Sequence, residues 1–260
     1  LRSSRTASAR MASVGVPPDS GRTEEGEEPL VPLPQYWDVE ALRGMRVVLY
    51  QNKISPPCCK IRMLLRYYGV PFQTVEGRKP ESGYKNIPVL DIGDRQINDS
   101  VVIVRSLAPV LQGRPLTGDE LEIERLITSG LMVALERDVA GSVQDLCACA
   151  DLLGGCFGCV LRSSACCICC CVGPRRIGAG REVLSIREYG DALREHLGGG
   201  EFLGGGEKPS VIDLSLFGLL EPFVRASCSC MAKLFGGPEN RLAEWHARMR
   251  QATSDIDIFA

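Results

Sequence analysis

Residues 46–69 read RVVLYQNKISPPCCKIRMLLRYYG, and this stretch decides the fold. The apolar run from Val47 to Tyr50 predicts a strand over 46–51. Pro56-Pro57 cannot lie inside a helix, but the pair suits a first helical turn, where a missing N–H is harmless. From Cys58 to Tyr68 the apolar residues Ile61, Leu64, Leu65 and Tyr68 recur at helical spacing. Gly69 stops the pattern. The chain therefore passes from strand to helix within a few residues, and Ser55-Pro56-Pro57-Cys58 occupies the turn.

Working outward, VPFQTVE (70–76) predicts a second strand and GRKPESGYKN (77–86) a polar connection. IPVLDIGDRQIND (87–99) predicts a hairpin that turns at Gly93-Asp94. SVVIVRSLAPVL (100–111) predicts a helix capped by Asp99 or Ser100. The order β-α-β, then β-β-α, specifies one four-stranded mixed sheet with helices against it, its first two strands parallel. Everything further along is helical. Residues 119–146 form one long amphipathic pattern, followed by helices over 182–197, 209–224 and 240–252. The third of these four opens with Ser210-x-x-Asp213, an arrangement that caps a helix start.

The bulk numbers exclude several function classes. The 260 residues are 45% hydrophobic and 24% charged, with a formal net charge of -2. That balance gives no electrostatic reason to expect nucleic acid as a partner. Two histidines, His196 and His246, supply a histidine-built metal site poorly. Eleven of the 13 cysteines lie after residue 146, a clustering unlike a disulfide framework; they read as reduced thiols in an intracellular compartment, cytoplasmic or organellar. Residues 1–44 read as a disordered leader, acidic and proline-rich over 19–34. Residues 1–18 carry Arg2, Arg5 and Arg10 and no acid, which fits either an organelle transit segment or sequence upstream of Met11.

The cysteine-rich stretch, about 147–176, admits three readings. Cys156-x-x-Cys159 with Cys147-x-Cys149 has zinc-like spacing, but consecutive cysteines point apart, and no metal is assigned. Residues 152–172 are apolar and suit peripheral membrane contact, with palmitoylation beside Arg175-Arg176. Arg162-Ser163-Ser164 interrupts the run before it reaches the ~20 residues a span requires. The third reading is an insertion between two helices.

These motifs together resemble the glutathione S-transferase and glutaredoxin superfamily, most closely the membrane-associated prostaglandin E synthase type 2 family. The residues that carry the resemblance are VLYQNKISPPCCKIRMLL, YKNIPVL and INDSVVIV, with FLGGGEKPSVIDLSLFGLL and LAEWHARM further on. The resemblance implies an α/β thioredoxin-like N-terminal domain with a four-stranded mixed sheet over 45–112. An all-α transferase domain over 113–260, interrupted by the cysteine-rich insertion, follows it.

It also implies glutathione as cofactor, a small hydrophobic substrate and, as in such transferases, a homodimer; haem enters by resemblance alone. The family's redox motif is Cys-Pro-aromatic-Cys, and here Ser55 stands in its first position. A hydroxyl has no redox chemistry, but it can donate a hydrogen bond to a bound thiolate. Such a thiolate at a helix N-terminus also meets the positive end of the dipole. Ser55 and Cys58 are thus the candidate catalytic residues. The same resemblance places the cysteinyl peptide unit of glutathione on Ile87 before a cis Pro88, and its γ-glutamyl end on Asp99 and Ser100. The implied activity is a glutathione-dependent isomerase or transferase acting on an endoperoxide or other lipophilic electrophile. The alternatives are a non-catalytic thioredoxin-fold binding module and a monothiol reductase working through Cys58.

Overall fold

The computed structural model describes residues 30–153, 177, 182–236 and 241–259. Four strands form one mixed sheet: β1 (Val47–Gln51), β2 (Gln73–Glu76), β3 (Val89–Ile92) and β4 (Arg95–Asn98). Their order across the sheet is β2-β1-β3-β4. β1 runs parallel to β2 and antiparallel to β3, with Tyr50 opposite both Val75 and Val89. β3 pairs antiparallel with β4, Val89 opposite Asn98. This is the mixed sheet expected from the sequence, and with the helices that follow it makes a thioredoxin-like domain continued by a helical one.

Before β1 lies α1 (Val39–Arg43), in a region the sequence reading assigns to the leader. Asp38 caps it, Leu42 is fully buried, and Arg43 donates to the Tyr68 carbonyl at 2.8 Å. Buried apolar surface and a tertiary hydrogen bond thus fix residues 38–44, although their composition alone does not call for structure.

α2 (Pro56–Tyr67) begins on Pro-Pro as expected. Every residue from Cys58 to Leu65 is buried, so this helix is surrounded on all sides. The sheet takes one face. The other receives α8 (Val211–Arg225), and the approach is close. A Cβ on Gly218 would lie 2.9 Å from the Cys59 carbonyl oxygen and 2.8 Å from the Met63 Cβ. Only glycine permits that contact.

The predicted long helix over 119–146 is broken into parts. α4 (Gly118–Arg125) runs into a π-helical turn at Leu126–Leu131, then α5 (Met132–Ala140), and α6 (Val143–Leu153) starts afresh. The break falls at Gly141-Ser142. Gly141 donates its N–H to the Arg137 and Asp138 carbonyls, closing α5. Ser142 Oγ accepts from Asp145 N at 3.1 Å, opening α6. At the π turn, a Cβ on Gly130 would lie 2.5 Å from the Tyr189 ring.

α3 (Ser100–Gln112) packs on the sheet. α7 (Ile186–Leu197), α8 and α10 (Arg241–Ala252) correspond to the remaining expected helices. One further short helix, α9 (Cys230–Phe235), has no counterpart in the sequence reading. The capping box at α8 forms as expected. Asp213, fully buried, accepts from Leu203 N, Gly204 N, Ser210 N, Ser210 Oγ and Trp245 Nε1, all between 2.6 and 3.2 Å.

Cys147 and Cys149, assigned from sequence to the insertion, belong to α6. The zinc spacing at Cys156 and Cys159, the transit reading of 1–18 and nearly all of the apolar run 152–172 lie outside the described residues. Among the described residues, no helix is long and apolar enough to cross a membrane.

Candidate functional site

The sheet register gathers the candidate residues at one edge. β1 ends at Gln51, and the chain turns through Asn52 and Ser55 into α2. β3 is antiparallel to β1 and begins beside Tyr50, so Ile87 and Pro88 lie at the same end. β4 ends opposite Val89, which brings Asp99 and Ser100 there too. Gly77 and Arg78 follow the parallel strand β2 to this edge as well. The carboxyl ends of adjacent parallel strands are where open sheets place ligands. A cleft of about 430 Å³ opens here, lined by Asn52, Gly77, Arg78, Asn86 and Ile87.

Ser55 is the N-cap of α2, half-buried, and its side chain makes no capping hydrogen bond. Its carbonyl accepts from the amides of Cys58 and Cys59, both at 2.9 Å. Cys58 itself is fully buried, and burial raises its pKa above the ordinary thiol value. Hydrogen bonds from Asn52 and Ser55 and the nearby Arg62 charge oppose that rise without cancelling it. A nucleophilic thiol needs the thiolate and access to solvent. By both criteria Cys58 is a poor nucleophile, and Ser55, half-buried at the start of α2, is the more accessible of the two. Cys59 is more deeply held: burial pushes its thiol up to about 12.

Asp99 has φ 68, a backbone conformation that side-chain-bearing residues rarely adopt and that costs roughly 1–3 kcal/mol. Two bonds hold it there. Oδ1 accepts from Val101 N at 2.8 Å, capping α3, and Oδ2 accepts from the Tyr84 hydroxyl at 3.3 Å. Ser100 is buried at the first turn. The Ile87–Pro88 peptide bond is cis.

A buried support lies behind this edge. The Arg62 guanidinium donates to the Gln51 side-chain carbonyl, to the Lys53 carbonyl and, at 2.9 Å, to Cys59 Sγ. Gln51 Nε2 donates to Glu76 Oε1 at 2.9 Å, and Lys53 N donates to Glu76 Oε2 at 3.2 Å. Glu76 and Arg62 thus clamp the turn that carries Asn52 and Ser55. Sequence reasoning missed this clamp and missed Arg78. The clamp residues sit 11 and 25 positions from Gln51, so no local pattern announces them. For Arg78 the signal was its place directly after a strand parallel to β1.

Haem requires an axial ligand such as His, Cys, Met or Tyr. The cleft lining includes none of these, and the adjacent thiol, Cys58, is buried. These residues do not fit that group. Among the described residues no group of three or more His, Cys, Asp or Glu side chains is placed to hold a metal ion.

Comparison with known proteins agrees with this architecture. The glutathione S-transferase N-terminal domain family matches residues 49–109. Over 84 residues the chain is 39% identical to prostaglandin E synthase 2 of Mus musculus, a match covering 28% of this chain and 22% of that protein's length. Human glutathione S-transferase T1-1 shares the fold with a TM-score of 0.53 at 18% identity, covering 82% of this chain and 86% of that one. The Tau-class glutathione S-transferase of mango, Mangifera indica, gives 0.52 at 19% identity, covering 83% and 93%. The chain is thus glutathione S-transferase-like in fold, and it carries a partial resemblance to prostaglandin E synthase 2.

Proposed function

We propose that this protein binds glutathione at the sheet edge and uses its thiolate as nucleophile toward a lipophilic electrophile, as a transferase or an isomerase of the prostaglandin E synthase 2 kind. The observation that carries this reading is the cleft where Asn52, Arg78 and Ile87 meet, near a helix N-terminus whose N-cap residue, Ser55, makes no side-chain capping bond. Glutathione offers a thiol, a peptide edge, an anionic end and a zwitterionic end. The Ser55 hydroxyl and the α2 dipole favour the thiolate. The backbone of Ile87 offers a peptide partner. Arg78, exposed on the cleft wall, suits a carboxylate. Asp99 and the N-terminus of α3 suit the amine and carboxylate of the γ-glutamyl end.

In this mechanism glutathione gives up its thiol proton to solvent, and Ser55 Oγ–H donates to the resulting sulfur anion. The sulfur pair then forms a bond to the electrophile. With an endoperoxide substrate it would attack one peroxide oxygen; the O–O bond would break, the other oxygen would leave as an alkoxide and take up a proton, and loss of the C–H proton at the carbon bearing the S-bound oxygen would form the carbonyl and release the glutathione thiolate. Calorimetric titration with glutathione tests the reading. We expect a dissociation constant in the micromolar to millimolar range and its loss when Arg78 and Asp99 are both neutralised. No heat of binding at millimolar glutathione would overturn it. A binding module without turnover is the second reading, supported by the absence of a reactive thiol in the Ser55 position. Turnover of generic electrophiles with glutathione distinguishes the two.

A further inference from the structure

Two Cys-x-Cys pairs meet away from the cleft. Cys147 and Cys149 lie on α6; Cys228 lies in the turn before α9 and Cys230 opens α9. Cys149 Sγ is 3.5 Å from Cys228 Sγ. Their backbones are pinned to each other. Asp145, one helical turn before Cys149, accepts from Ser229 N at 3.2 Å and from Ser229 Oγ at 2.7 Å. Residues four apart on a helix share a face, and Ser229 directly follows Cys228, so this one double bond sets the register of both thiols. Ser227, at φ 54, turns the chain just before, and Cys228 N donates to the Phe223 carbonyl at 2.9 Å. Cys228 is buried, whereas Cys149 is only partly so. A disulfide bond is about 2.05 Å long. Closing from 3.5 Å asks the sulfurs to approach by ~1.5 Å, within reach of side-chain rotation.

We propose that Cys149 and Cys228 are a redox-modified pair that closes a disulfide by exchange with a low-molecular-weight disulfide, of which glutathione disulfide is the chemical type. Cys149, the more accessible thiol, attacks one sulfur of that disulfide once it has lost its proton, a loss that its hydrogen bond to Cys228, its burial and the nearby Asp145 charge oppose by raising its pKa. The S–S bond breaks, and one small thiol leaves after taking up a proton. Cys228 then loses its proton and attacks the Cys149 sulfur, which forms the Cys149–Cys228 bond and releases the second small thiol. Two protein thiols are oxidised and one disulfide is reduced to two thiols, so electrons and protons balance. The product ties α6 to the α8–α9 turn. The inference is independent of whether the cleft binds glutathione.

The test is direct. The full chain is equilibrated with mixtures of reduced and oxidised glutathione, quenched with acid, alkylated, digested and mapped by fragmentation mass spectrometry. We expect the Cys149–Cys228 link to exceed every other pairing by at least tenfold under oxidising mixtures and to vanish on reduction. It should persist in Cys230→Ser and be absent from Cys149→Ser and Cys228→Ser. Absence of the link in the unmutated chain at excess oxidised glutathione would overturn the proposal. So would preferential pairing of Cys228 with Cys147 or with any of the seven cysteines between 156 and 171. The decisive readout is on the unmutated chain, so a variant that fails to fold does not obscure it.

Discussion

Ser55 and Cys58 are three residues apart and face different surroundings: the hydroxyl is half-buried at the helix start, the thiol fully buried. We expect Ser55→Ala to lower glutathione-dependent kcat/KM by roughly tenfold, about 1.4 kcal/mol of transition-state stabilisation. Cys58→Ser should change it by less, because a buried thiol of raised pKa supplies little thiolate. Steady-state kinetics with a generic electrophile decide the matter, and loss of activity in Cys58→Ser alone would reverse the assignment. Asp99 combines a cap with a charge, and two substitutions separate them. Asp99→Asn keeps an oxygen for Val101 N and should weaken glutathione binding about tenfold with little change in melting temperature. Asp99→Ala should weaken binding and also lose ~0.5–2 kcal/mol of stability with the cap. Calorimetry beside thermal melts reads both. Glu136 offers a pH test. Burial raises its carboxyl from 4.5 to about 7. The folded chain therefore keeps a proton that the unfolded chain releases. The associated stability is fully present below pH ~4.5 and is lost as pH rises through about 7. Thermal melts across that window should fall more steeply for the natural chain than for Glu136→Gln.

At the scale of elements, a buried carboxylate with five donors holds the α8 start. Asp213→Ala would leave those donors unsatisfied and should cost on the order of 3 kcal/mol or more. A chain of this size should then melt roughly 6–12 °C lower, which differential scanning calorimetry would register. Ser210-x-x-Asp213 was legible in the sequence because capping is a local rule. The strand-turn-helix at 46–69 was legible for the same reason: Pro-Pro and helical spacing act within a few residues. Other elements were hidden because their causes are remote. Gly141-Ser142 is a stop and a start in succession, but it lies inside an unbroken amphipathic pattern, and a period alone does not reveal it. α1 exists through Leu42 in the core and Arg43 on Tyr68. Lys60 and Arg62, which fall between the apolar positions of 58–68, are both buried, because α4 and the β1–α2 turn supply their partners. The edge position of the candidate site followed from strand order. Arg78 sits at that edge by the same order, but it was overlooked because a polar connection gives no periodic signal.

The two parts of the molecule are joined by a buried ion pair. Lys60 on α2 meets Glu124 on α4, with side chains 0% and 1% exposed. Thr128 Oγ1 accepts from Lys60 Nζ at 2.9 Å, and Ser215 Oγ donates to Glu124 Oε2 at 2.7 Å. Removing one charge strands the other, so Lys60→Met alone should destabilise by ~3–5 kcal/mol. Lys60→Met with Glu124→Leu should recover most of that loss, because well-packed apolar replacements of such pairs are often neutral. A double-mutant cycle in urea measures the difference; a double variant as unstable as the single would show that the pair contributes more than mutual compensation.

Gly218 gives that junction a mechanical meaning. With no side chain between α8 and the backbone of α2 at Cys59 and Lys60, the two helices have no slack in which to slide. The hydroxyl end of α2 is therefore anchored to the larger helical mass, and a hinge between the parts is closed off as a way of admitting a ligand. Entry is left to the 77–87 connection, which carries Arg78, Asn86 and Ile87 and has mostly exposed residues. Amide exchange should accordingly be fastest there and slow along 58–65. Stiffening that connection, not the junction, should alter how quickly a ligand arrives and leaves.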